Sequence, residues 1–208
     1  MNSDEFTSGS GKARPSATMS AMRISRIPDA YAALKRWQRW LLEGSLILAV
    51  IIGAQWWQTR GLPEGVAPPL AGVLTDGTHT RVPAGTQSAG AGDTANGAPT
   101  LVAFWATWCP VCSAEEGNIV AVAKDHRVVS VAMQSGDAVT VAKHLQERGI
   151  ALPALVDADG RHASNWRVRG VPTHFVVDGA GNIRFRVVGY ATTWGLKARL
   201  WWAGTFPA

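Results

Sequence analysis

The sequence predicts an α/β domain, a central mixed sheet with flanking helices, preceded by one transmembrane helix. Three observations predict it. A run of apolar residues, WLLEGSLILAVIIGAQWW (40–57), carries a single charge, Glu43. Further on, TLVAFW (100–105) and VVSVAMQS (128–135) are short apolar runs separated by a stretch of helical content, as the buried strands of a βαβ unit require. Then GVPTHFVVDGAGNIRFRVVGY (170–190) offers two strands joined by the Gly-rich turn DGAGN, a hairpin signal. A parallel crossover leading into an antiparallel hairpin gives a mixed sheet covered by helices.

Each segment follows in order. Residues 1–39 form a basic arm, and its first twenty residues, rich in Ser, Gly and Thr, read as disordered; Met19 or Met22 is an alternative start. Residues 40–57 are the membrane span, about 26 Å of helix against roughly 30 Å of hydrocarbon. Trp37 and Trp40 stand at one end and Trp56 and Trp57 at the other, as expected at two membrane interfaces. Arg23, Arg26, Lys35, Arg36 and Arg39 precede the span and only Arg60 follows closely, which places the N-terminus in the cytoplasm. A buried core helix fits the paired tryptophans poorly. A cleaved signal peptide has only a weak site near Gly53-Ala54. Residues 58–65 are a Pro/Gly-rich linker, and 66–208 are the domain, within which 84–100 read as a long surface loop. GDAVTVAKHLQERG (136–149) is an amphipathic helix with Val139, Ala142 and Leu145 at helical spacing, Val141 beside them and Gly149 at the C-terminal cap. TWGLKARLWWA (193–203) is the last helix.

Charge and cysteine count narrow the function classes. Residues 1–40 carry seven Lys/Arg against three Asp/Glu, while the rest carry thirteen against twelve. The basicity therefore belongs to the arm, and no nucleic-acid face is expected on the domain. Two cysteines are too few for a disulfide-stapled scaffold or a structural zinc site. No metal and no cofactor is expected.

Those two cysteines, Cys109 and Cys112, lie in WATWCPVCSAEEG just after a predicted buried strand. At a helix N-terminus, unpaired N–H groups and the partial positive charge favour thiolate, the nucleophile of disulfide exchange. Pro110 suits the first helical turn, where a missing N–H costs nothing. Cys112, one turn on, can resolve a mixed disulfide formed at Cys109. Two inert buried thiols remain the plain alternative. Pro172, in GVPT, should open a strand rather than interrupt one.

Together FWATWCPVC (104–112) and the downstream GVPT (170–173) resemble the thioredoxin superfamily over roughly residues 66–203. With the anchor, the chain looks most like the TlpA/ResA-type membrane-tethered thiol–disulfide oxidoreductases of bacteria, some of them called copper-sensitivity suppressors. The resemblance implies a thioredoxin-like fold, a redox-active Cys109–Cys112 disulfide and a cis peptide before Pro172. It also implies substrate contacts at Trp108, Pro110, Val171, Pro172 and Thr173; Trp105 and Trp108 either shield the site or serve packing alone, the two readings being equal. Departures matter too. Thioredoxins carry a buried Asp six residues before the first Cys, where this chain has Ala103. Glu115, three residues after Cys112, matches a Glu common in the TlpA-like group and can take the Cys112 proton; a solvated helix Glu is the equal alternative. Glu116 reads as a surface residue. Gly117 stands where the family has a bend-making Pro. His174 is expected to point away from the dithiol.

The function implied is a periplasmic domain on the bacterial inner membrane that exchanges disulfides in extracytoplasmic proteins. Its electrons pass to or from a transmembrane thiol-electron transporter. Without the thioredoxin Asp, and with Pro110 and Val111 between the cysteines, the pair is expected to be moderately reducing, a direction suited to haem attachment or copper handling. A disulfide-forming oxidase and a Cu(I)-binding dithiol protein are the rival readings.

Overall fold

The computed structural model describes residues 35–82 and 97–206. The N-terminal arm up to residue 34 and most of the expected 84–100 loop lie outside them. Among the described residues one helix, α1 (Arg36–Thr59), is long and apolar enough to cross a membrane. It spans about 36 Å and buries no side chain, extending beyond the predicted 40–57 at both ends. The expected linker is correspondingly shorter, since Leu62 already belongs to the core.

The domain follows as β1 (Gly65–Val66), β2 (Leu70–Val73), β3 (His79–Val82), β4 (Thr100–Trp105), α2 (Pro110–Ala123), β5 (Arg127–Met133) and α3 (Ala138–Glu147). Then come β6 (Ala154–Asp157), α4 (Arg161–Asn165), β7 (Thr173–Val177), β8 (Asn182–Val188) and α5 (Thr193–Thr205). Six strands form the main sheet in the order β1-β8-β7-β4-β5-β6, and β2 and β3 form a separate antiparallel pair. β4, β5 and β6 run parallel; β7 and β8 return antiparallel beside β4. At one margin β1 pairs with β8, and at the other Leu74 bridges Leu155 of β6.

The central strand divides its side chains by strict alternation. Leu101 and Ala103 face α2 and α5, packing with Ile119, Val122, Leu196 and Leu200. Val102 and Phe104 face the other way, toward Trp166, Phe175, Leu70 and Val82. There Trp166 meets Phe175 edge-on with centroids 4.9 Å apart and Phe104 at 5.8 Å. Full burial of such a ring contributes about 2–3 kcal/mol. α3 covers Ala132 and Ala154 with Val141 and Leu145.

The predicted inward face of α3 needs one correction. Val139 is 76% exposed. Asp137 caps the helix by accepting from the Thr140 N–H at 2.8 Å, and the phase set there turns Val141 and Leu145 to the sheet instead. The β7–β8 turn is closed by Asp178, whose Oδ1 accepts from the N–H groups of Ala180 (3.0 Å) and Asn182 (2.8 Å). Gly181 follows at φ +89, a conformation glycine adopts without cost.

Candidate active site

β4 delivers the chain to the dithiol. After Trp105 the backbone turns, Thr107 N–H donating to Ser135 Oγ at 3.0 Å, and Cys109 becomes the N-cap of α2. Its φ of −93 and ψ of 113 are extended, and its Sγ accepts from the Cys112 N–H at 3.3 Å. Pro110 occupies the first turn, where its missing N–H leaves nothing unpaired. Both thiols are free. The Cys109 thiol also donates toward the Val171 carbonyl at 3.5 Å. Cys112 is 2% exposed, and that burial pushes its thiol well above the ordinary range. The neighbouring Cys109 and, more weakly, the Glu115 charge add to the shift. The two sulfurs are thus unlike: Cys109 caps the helix, and Cys112 is held protonated beneath it.

The facing wall is the Val171–Pro172 segment, with a cis peptide between the two residues. Val171 is partly exposed; Pro172 is buried and its carbonyl accepts from the Gly189 N–H at 2.9 Å. Thr173 turns inward, 1% exposed, its hydroxyl donating to the Gly170 carbonyl at 2.8 Å. Trp108 is 59% exposed with its indole N–H on the Gln134 carbonyl at 3.1 Å. With exposed Pro110 and Val111 it makes an apolar rim around Cys109. Trp105 lies lower, partly buried, donating to Ser130 Oγ at 2.7 Å.

Beneath Cys112 lies a small, largely apolar cavity lined by Ala103, Trp105, Glu115, Ser130, Leu145 and His174, among others. Glu115 is buried, and its Oε2 accepts from the Ala191 N–H at 2.8 Å. Its Oε1 is 2.7 Å from Nε2 of His174. His174 was expected to point away from the dithiol; it points into this cavity. The reason is alternation. His174 shares a face of β7 with Val176 and stands opposite Ala103 of β4 in register, and both of those residues belong to the cluster under α2. A small residue at 103, opposite a histidine and under a glutamate, was the signal in the sequence. Glu116, expected at the surface, is also partly covered: Arg148 Nε sits 2.6 Å from its Oε2. α2 continues as one helix through Gly117.

Comparison with known proteins bears on the fold. A family model described as AhpC/TSA family matches residues 84–186. A solved thiol:disulfide interchange protein, thioredoxin family protein from Chlorobium tepidum matches with a TM-score of 0.54 at 24% identity, over 68% of this chain and 97% of that one. The fold is thioredoxin-like. Two curated relatives of this thioredoxin-like domain stand out. A thioredoxin-like protein of Haemophilus influenzae is 35% identical over 52% of this chain and 65% of its own. The thiol:disulfide interchange protein HelX of Rhodobacter capsulatus is 29% identical over 71% and 85%. The chain spans between about half and two thirds of the length of the first curated relatives it matches, 65% and 52% of theirs.

Proposed function

We propose that this chain is a thiol–disulfide oxidoreductase of the TlpA/ResA type, anchored by α1 in the bacterial inner membrane with its domain in the periplasm, and working as a reductase. The observation that carries this reading is the dithiol itself: both sulfurs are buried, Cys109 (5% exposed) N-capping α2 beside an apolar rim and Cys112 held protonated one turn on. In the forward reaction the Cys109 thiolate attacks one sulfur of a substrate disulfide. The substrate S–S bond breaks, and its other sulfur leaves as thiolate. Cys112 then gives its proton to Glu115 and attacks Cys109 Sγ. The mixed disulfide breaks, the second substrate sulfur leaves as thiolate, and both substrate thiolates take up protons. The Cys109–Cys112 disulfide holds the two electrons' worth of oxidation and is re-reduced by a protein dithiol, a transmembrane thiol-electron transporter. Trp108, Pro110, Val171 and Pro172 hold the substrate segment.

Direction follows from how thinly the Cys109 thiolate is supported. One backbone N–H, that of Cys112, reaches its sulfur within the helix, and Pro110 and Val111 bring no further donor or charge. A poorly stabilised dithiol form is a reducing one. Target cysteines kept reduced in this way suit haem attachment or copper handling. Titrating the reduced chain against a glutathione couple tests the direction. A potential near about −270 mV supports the reductase, whereas one near about −120 mV makes the protein an oxidant. Replacing Cys112 with Ser tests the roles: substrate should be trapped on Cys109, and trapping nowhere would sink the oxidoreductase reading itself.

A further inference from the structure

The resolving step leaves a buried thiol proton to be moved, and the residue that aims its acceptor is absent from the dithiol motif. Glu115 projects from α2 into the cavity that Cys112 also lines, with one partner on each oxygen: the Ala191 N–H on Oε2 and His174 Nε2 on Oε1. A carboxylate 2% exposed needs both, because an unpartnered buried charge is costly. His174 is itself 1% exposed, and neither ring nitrogen makes a hydrogen bond among the described residues; the nearest polar group is Glu115 Oε1, 2.7 Å from Nε2. A bare ring nitrogen is cheaper to bury than an unpaired N–H, so the fitting tautomer carries its proton on Nε2, toward Glu115. The approach at 2.7 Å is off the ideal hydrogen-bond line, which makes the pair a close electrostatic contact. Ala103, directly opposite His174 in the sheet, is small enough to leave that space open. The other carboxylate lining the cavity, Glu116, is already taken by Arg148.

We propose that His174 is a positioning residue for the resolving step, holding the Glu115 carboxylate in the cavity beneath Cys112 so that Glu115 takes the Cys112 proton as this sulfur attacks Cys109. The proposal rests on the oxidoreductase reading. No redox change occurs at the pair: one proton passes from Cys112 to Glu115 while the sulfur bonds exchange, and His174 keeps its own.

The test follows a chromogenic aromatic disulfide reacting with the full reduced chain in detergent. Cys109 attack releases a first coloured thiol and Cys112 attack a second, so the two steps are timed separately. In H174L the second release should slow at least about tenfold while the first stays within about twofold. H174Q, whose amide N–H can stand in for Nε2–H, should recover most of the rate. In an E115Q background H174L should add less than about twofold, because the two residues act as one unit. A second release in H174L as fast as wild type overturns the proposal, as does full slowing by H174L in the E115Q background. If H174L does not fold, nitrogen NMR of the wild-type chain decides, since a His174 protonated on Nδ1 rather than Nε2 overturns it equally. Absence of the first release would sink the oxidoreductase reading; a normal first release with an indifferent second sinks only the role of His174.

Discussion

Raising the pH of the reduced protein should weaken it through one thiol. Cys112 is held protonated in the fold by burial, its pKa lifted above the ordinary thiol range. In the unfolded chain the same thiol ionises near about pH 8.5. Above that pH the native state binds more protons than the unfolded state, so stability that is fully present at lower pH falls as pH rises. The loss continues until the folded pKa is reached. Its limiting slope is about 1.4 kcal/mol per pH unit, so between about pH 8.5 and about pH 10.5 Cys112 removes roughly 2 kcal/mol. That is a large share of the roughly 5–15 kcal/mol that holds a domain folded. Urea unfolding of the reduced domain from Arg60 onward, beside its C112A variant across this range, isolates the effect. Groups remote from the dithiol are common to both proteins and cancel. The stability gap between the two should move by about 2 kcal/mol. A gap that stays constant would mean that Cys112 is not the buried, protonated thiol described above, and the division of labour between the sulfurs would fail with it.

Three further outcomes are expected. D157A should cost about 3 kcal/mol in chemical denaturation, because Asp157 is 1% exposed and accepts from the His162 (3.0 Å) and Ala163 (2.8 Å) N–H groups that open α4; a loss below about 1 kcal/mol would show those donors finding other partners. W108A should change stability by less than about 0.5 kcal/mol, since the ring is mostly exposed, yet raise KM for a protein disulfide several-fold while sparing a small disulfide. Equal effects on both substrates would remove Trp108 from the docking rim. A reporter active only outside the cytoplasm, fused after Ala208, should be active; activity only when it precedes α1 reverses the proposed orientation.

The elements around the dithiol were legible because their signals are local. TLVAFW is apolar enough to be a central strand, Cys-Pro marks a helix start, and DGAGN closes a hairpin by its own side-chain and glycine chemistry. What escaped depends on how elements face one another. Val139 and Val141 are both apolar, and only the Asp137 cap decides which of them turns inward. The facing of His174 depends on the register of β7 against β4, which places it opposite Ala103 and level with a glutamate from another element. Glu116 reads as a helix-surface carboxylate until Arg148, 32 residues away, folds back onto it. The missing Asp at position 103 looked like an absence of proton-handling chemistry. In three dimensions the vacated volume is where an acid from the helix and an imidazole from the neighbouring strand come together.

The partly covered margins of the main sheet bear on the kind of client that, on the proposed reading, such a domain can meet safely. Proteins in need of disulfide exchange are incompletely folded, with strand-forming segments seeking backbone partners. An open edge would accept such a segment as an added strand and hold it. Here the β6 side is covered where Thr75 N–H donates to the Ala154 carbonyl at 2.9 Å and Ala154 N–H returns to Thr75 Oγ1 at 3.1 Å. On the β8 side β1 pairs at Ile183 and Asn182, and Arg184 and Arg186 carry charge along the strand, paired with Asp178 and Glu64. A half-folded visitor finds little purchase along either border. On the proposed reading, covered and charged borders of this kind favour release of a client over its capture as an added strand.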